Sequence, residues 1–81
     1  MRRLRLYYRQ ECHLCEDMLV HLERLRLGGP FELELIDVDD HPSVPERYRL
    51  RVPLLEDAAE GRCLSEYYLD EATVLSYLRG L

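Results

Sequence analysis

The stretch Gln10-Glu11-Cys12-His13-Leu14-Cys15-Glu16 puts two cysteines two residues apart, at a point where the hydrophobic period changes. Before it, Leu4-Arg5-Leu6-Tyr7-Tyr8 alternates and carries β-forming aromatics, which reads as a strand. After it, Leu14, Met18, Leu22 and Leu25 recur at helical spacing, with Cys15 and Leu19 flanking the stripe. A strand that passes into a helix through a Cys-x-x-Cys turn leaves few folds open. The helix is predicted to end at Gly28-Gly29-Pro30. Glu16 and Asp17 fall in its first turn and Arg24 and Arg26 in its last, as the helix dipole favours.

The remaining pattern builds on that start. Residues 31–38 alternate apolar and acidic side chains and read as a second strand. Asp39-Asp40-His41-Pro42 is a turn, and residues 43–50 form a short helix that tolerates Pro45 only in its first turn. Residues 52–55 are a third strand, 58–61 a turn and 62–67 a fourth strand. A last helix opens at Leu69 or Asp70 and presents Ala72, Leu75, Tyr77 and Leu78. The order is β-α-β-α-β-β-α. Its first three elements imply a parallel pair with a right-handed crossover, and the short turn after the third strand implies an antiparallel hairpin. The prediction is an α/β fold with a four-stranded mixed sheet, one domain over residues 1–81. A chain of 81 residues can bury one such core.

Charge and cysteine number narrow the function. A net charge of −5 argues against nucleic acid or an anionic membrane surface as partner. No apolar run approaches the roughly 20 residues that span a bilayer, and no apolar segment follows Met1-Arg2-Arg3-Leu4-Arg5. A cytoplasmic monomer is expected. Three cysteines is an odd number and does not suit a disulfide framework. In a reducing compartment a Cys-x-x-Cys pair is catalytic or metal-binding rather than a permanent crosslink. The basic residues are all arginine, eleven in number, which is read as composition rather than as a phosphate site.

Structural zinc needs a second ligand pair. Cys63, His13, His21 and His41 are the remaining candidates and form no spaced pair, so no metal ligands are assigned. A helix start suits redox chemistry better. Unpaired backbone N–H groups and the dipole both favour a thiolate at Cys12, and the thiolate is the form that attacks a disulfide. Cys15, one turn on, is expected to be the more buried and to resolve the mixed disulfide. The roles assigned are Cys12 as nucleophile and Cys15 as resolving thiol. His13 has two readings, an imidazolium that lowers the thiol pKa or a solvated helix-start residue. Glu11, Glu16 and Asp17 push the pKa the other way.

Other residues are given plainer roles. Cys63 is expected to be a small core hydrophobe. At least half of Tyr7, Tyr8, Tyr67 and Tyr68 are expected in the core. Glu32, Glu34, Asp37, Asp39 and Asp40 are expected to form a solvated face, and His21 and His41 to lie on the surface.

Leu6-Tyr7-Tyr8-Arg9-Gln10-Glu11-Cys12-His13-Leu14-Cys15-Glu16 resembles the opening of the glutaredoxin-like family of short thioredoxin-fold proteins. Ile36-Asp37-Val38-Asp39, the Leu50-Arg51-Val52-Pro53-Leu54-Leu55 run and Gly61 resemble its later landmarks, so the likeness spans nearly the whole chain. The resemblance implies that Cys12 and Cys15 are the redox pair. It implies that Pro53 is the cis proline before the third strand, which turns the Val52 backbone toward a thiol substrate. Arg9 falls where the family carries a lysine, and either binds a carboxylate of glutathione or is a solvated strand-end arginine. His13 is placed beside the substrate. The implied partners are a protein or small-molecule disulfide and an external thiol reductant, with glutathione as one candidate and no bound cofactor.

The chain also departs from the family pattern. His13-Leu14 stands where Pro-Tyr is usual, Arg51 where Thr precedes Val-Pro, and Ser65-Glu66-Tyr67-Tyr68 where a Gly-Gly turn meets glutathione. These departures weigh against a glutathione site. A thiol–disulfide oxidoreductase is the leading expectation. A non-catalytic binding module on the same fold and a metal-binding Cys-x-x-Cys protein are the alternatives.

Overall fold

The computed structural model describes residues 1–80. Its elements are β1 (Arg3–Tyr8), α1 (His13–Gly28), β2 (Glu32–Asp37), α2 (Glu46–Arg49), β3 (Leu54–Asp57), β4 (Cys63–Glu66) and α3 (Glu71–Leu78), the predicted order. One four-stranded sheet runs β2-β1-β3-β4. β1 and β2 are parallel, as a crossover through α1 requires, and both other pairings are antiparallel.

Alternation sorts the strands onto two faces. Leu4 and Leu6 of β1, Leu33 of β2, Leu55 of β3 and Leu64 of β4 pack with Met18 and Leu22 of α1 and Val74 and Tyr77 of α3. Tyr7, Ile36 and Leu54 face the other way, against Val44, Tyr48 and Val52 around α2. Only the upper half of that second face is covered. Below it the sheet carries a ladder of ion pairs, Arg3–Glu32 and Arg5–Glu34, both at 3.0 Å, in register across β1 and β2.

Several sequence expectations are corrected. Pro45 lies before α2 as its N-cap rather than in its first turn, and α2 is one turn long. β3 extends through Glu56 and Asp57, both buried. Asp37 is buried rather than solvated. Cys63 is exposed rather than in the core. The cause is a bulge: Leu55 pairs with Ser65, but Glu56 pairs with Cys63, so Leu64 is the extra residue. Leu64 and Ser65 are then both buried, and Cys63 turns to the open face beside Glu56. Tyr7 is buried and Tyr8 half-buried, whereas Tyr67 and Tyr68 are exposed.

Candidate functional site

The strand directions bring four connections to one end of the sheet. β1 and β2 finish there, β3 begins there, and β4 finishes there. The β1–α1 turn carrying Cys12 is therefore flanked by the segment after Asp37 and by the Leu50–Pro53 segment that leads into β3. Tyr67 and Tyr68 follow at the β4 side.

Cys12 is the N-cap of α1, in extended conformation, and its sulfur accepts the backbone N–H of Cys15 at 3.2 Å. Glu16 N–H donates to the Cys12 carbonyl at 3.1 Å, which closes the first helical turn. The sulfur thus occupies the place where a capping oxygen usually satisfies an orphan donor. Negative charge on it is favoured by that N–H and by the helix dipole. Cys12 is half-buried and Cys15 is 3% exposed. The two sulfurs lie within disulfide-bonding distance, with Cα atoms 5.2 Å apart.

The turn itself is braced from β2. Gln10 Nε2 donates to Asp37 Oδ2 at 3.1 Å, and Asp39 N–H donates to Asp37 Oδ1 at 2.9 Å. Those donors, the Asp39 amide first and Gln10 second, hold the Asp37 carboxyl below the usual carboxylate range. Sequence reading grouped Asp37 with Glu32 and Glu34. Strand parity pointed elsewhere, since Asp37 shares its face with Leu33 and Leu35, the α1 side from which the cysteine turn descends.

The other predicted residues divide. Arg9 is exposed and paired with Asp39 at 3.3 Å. His13 opens α1 with its side chain 91% exposed, and its ring lies 4.0 Å from Glu16. The Val52–Pro53 peptide is cis and Pro53 is buried. The Pro53 carbonyl accepts Tyr67 N–H at 2.8 Å. Among the described residues, neither the N–H nor the carbonyl of Val52 has a hydrogen-bond partner within the chain.

Two features were not read from sequence. Tyr67 has a φ of 66°, a region costly for a non-glycine residue, and its hydroxyl donates to the Leu50 carbonyl at 3.2 Å. Glu56, 2% exposed, accepts from Arg5 at 2.9 Å, Tyr7 Oη at 2.8 Å and Tyr48 Oη at 3.2 Å. Burial, and then the bond to Glu56, push the Tyr7 hydroxyl up to about 12. Tyr48 belongs to α2, so this carboxylate ties the helix that precedes Leu50–Pro53 to the sheet. The charge of Glu56 inside a strand gave no signal of this, because the partners are far apart in sequence.

Arg51 is committed to Glu66 and also reaches Cys63, Nη2 to Sγ 3.8 Å. Partial desolvation of its sulfur by the surrounding chain, and then the nearby Glu66, raise the thiol of the largely exposed Cys63 above its ordinary value. Among the described residues no group of three or more His, Cys, Asp or Glu is arranged to hold a metal ion, and no helix is long and apolar enough to cross a membrane.

Comparison with known proteins agrees with this architecture. The profile of the family described as "Glutaredoxin-like domain" matches residues 3–79. A solution NMR structure of a Nitrosomonas europaea protein is similar at 39% identity and TM-score 0.83, covering 95% of this chain and 91% of that one. An X-ray structure of an X. campestris protein is similar at 31% identity and TM-score 0.71, covering 96% and 97%. Oxidized mitochondrial thioredoxin 3 from Saccharomyces cerevisiae, at 18% identity and TM-score 0.69, covers 99% of this chain and 78% of its own and shares the fold. Among curated proteins none matches.

Proposed function

From its membership of the glutaredoxin-like domain family, to which this thioredoxin-fold chain belongs, we propose that the protein is a thiol–disulfide oxidoreductase working through Cys12 and Cys15. The observation that carries this reading is the capping geometry. Cys12 sulfur sits at the α1 N-terminus on the Cys15 N–H, with the second thiol buried beneath it. A thiolate is favoured at the outer position and shielded at the inner one.

The chemistry runs in two steps. The Cys12 thiolate attacks one sulfur of a substrate disulfide, forms a mixed disulfide and expels the other substrate sulfur, which takes up a proton. Cys15 then loses its proton and attacks the Cys12 sulfur, releasing the second substrate thiol. Two electrons have passed to the substrate, and the chain holds a Cys12–Cys15 disulfide that an external thiol reductant must reopen. The free N–H and carbonyl of Val52 offer an extended substrate backbone a place to pair. Such a cycle suits a reducing compartment such as the cytoplasm.

The test is Cys15→Ser, which removes the resolving thiol. It is expected to accumulate mixed disulfides on Cys12, identifiable by mass spectrometry, while Cys12→Ser accumulates none. A Cys12 pKa at or above about 8.5, the value of free cysteine, with no mixed disulfide trapped, would sink the proposal.

A further inference from the structure

The site's surroundings carry information about substrate that the dithiol alone does not. Among the described residues seven large hydrophobic ones are exposed: Met1, Val20, Leu27, Leu35, Leu50, Tyr67 and Tyr68. Four of them flank the redox pair. Leu50 (72% exposed), Tyr67 (40%) and Tyr68 (73%) lie on the connections at the same end of the sheet, on the β3 and β4 side. Leu35 lines an apolar cleft on the β2 side, together with Leu6, Tyr8 and Leu19, and Cys15 forms part of its wall. Following the strand order, the Cys12 turn lies between the two apolar surfaces.

The charge around them is one-sided. Glu11, Asp40 and Asp70 are exposed on the connections at this end and Glu16 in the first turn of α1; Glu16 lies 4.0 Å from His13 and Asp70 caps α3, but none pairs with an arginine among the described residues. Three of the arginines nearby are occupied, and Arg47 of α2 lies over the Tyr48 ring at 5.2 Å without an acid partner among the described residues. Arg9 pairs with Asp39, Arg51 with Glu66, and Arg49 donates to the carbonyls of Val38 and His41. A small anionic disulfide would meet unpaired carboxylates and find these cations already engaged. A basic polypeptide with apolar side chains next to its cysteine would meet complementary charge and two apolar surfaces that a short polar ligand cannot span.

Resting on the oxidoreductase reading, we propose that the substrate of Cys12 is a polypeptide disulfide flanked by basic and apolar residues. Glutathione disulfide, with its two free carboxylates on each half, is a poor substrate. The bonds made and broken are those of the two-step exchange above, and the polypeptide leaves as its dithiol. Apolar contact at the rim holds the chain, and the acids bias it toward positive charge.

The experiment is single-turnover oxidation of the pre-reduced protein by three probes. They are the homodisulfides of acetyl-Arg-Cys-Phe-amide and acetyl-Glu-Cys-Phe-amide, and glutathione disulfide. Each rate constant is divided by that of the same disulfide with dithiothreitol, which removes differences in intrinsic reactivity. The arginine peptide is expected to be the fastest, by roughly tenfold over the glutamate peptide, as two screened charge contacts allow. That margin should shrink in 1 M salt, where the Debye length is about 3 Å. The glutathione probe is expected to be the slowest. If it matches or exceeds the arginine peptide, or if the two peptides react alike, the substrate inference is overturned and the oxidoreductase reading stands. If no probe oxidises the dithiol faster than it oxidises dithiothreitol, the oxidoreductase reading fails, and the inference with it.

Discussion

Replacing Glu56 by alanine should destabilise the domain by about 3–4 kcal/mol. The estimate follows from what the carboxylate touches. Tyr7 is 7% exposed, and its hydroxyl donates to Glu56 at 2.8 Å, so the substitution leaves a buried donor without an acceptor. That costs about 1–3 kcal/mol. Arg5 loses a charged hydrogen bond of 2.9 Å but keeps Glu34 at 3.0 Å, and its side chain is 26% exposed. About 1 kcal/mol is therefore enough for that contact. Tyr48 loses a longer bond from a part-buried position, for roughly 0.5 kcal/mol. A domain of this length holds about 4–12 kcal/mol in all, so the variant gives up a large share.

Urea unfolding followed by circular dichroism measures the effect. With a slope of about 2 kcal/mol per molar urea, the midpoint should fall by roughly 1.5–2 M. Adding Tyr7→Phe tests the mechanism, because it removes the orphaned hydroxyl. The double variant should be more stable than the sum of the two single changes implies, with a coupling of about 1 kcal/mol or more. A loss below about 1 kcal/mol for Glu56→Ala, or strict additivity with Tyr7→Phe, would refute the claim that this buried carboxylate satisfies the Tyr7 hydroxyl between β1 and β3.

Other outcomes follow from the same geometry. The folded-state Tyr7 hydroxyl is raised to about 12, so its contribution is complete below the unfolded value of about 10 and is lost as pH rises between the two. Tyr7→Phe should flatten the alkaline limb of a stability–pH curve. Asp37 is held below the usual carboxylate range by the Asp39 amide and Gln10. Its contribution is present above the unfolded value of about 3.9 and is lost as pH falls through the lower folded value, a decline that Asp37→Asn should weaken in acid titrations of unfolding. In the reduced protein at neutral pH, iodoacetamide should label Cys12 well before Cys63. The Cys63 thiol is raised by partial desolvation and by Glu66, whereas the Cys12 sulfur caps a helix. Peptide mapping over a time course separates the two, and equal labelling would count against the proposed Cys12 thiolate.

What the sequence revealed is what local periodicity controls. Period-two alternation in β1 and β2 and the 3.6-residue stripe of α1 gave the element order, and the cysteine turn between them gave the end of the sheet where chemistry sits. What it hid depends on partners brought in from afar. Glu56-Asp57 reads as the end of a strand, because acids are rarely buried without a partner. Yet β3 continues through both, since Arg5, Tyr7 and Tyr48 converge on Glu56, and Asp57 Oδ1 accepts the Glu60 N–H. Cys63 reads as core because a free cysteine behaves as a small hydrophobe, and one bulged residue turns it to the open face without any mark in the local pattern. Tyr67 reads as strand or core by composition, whereas its positive φ turns the chain out of β4 and carries Tyr68 with it to the rim. The three misplacements share a cause. Each lies in β3, β4 or the turn after β4, where short strands of four residues carry too few alternations to define a face. In this chain the local pattern identifies the reacting sulfurs, and the non-local packing of the β3–β4 half shapes the surface a substrate would meet.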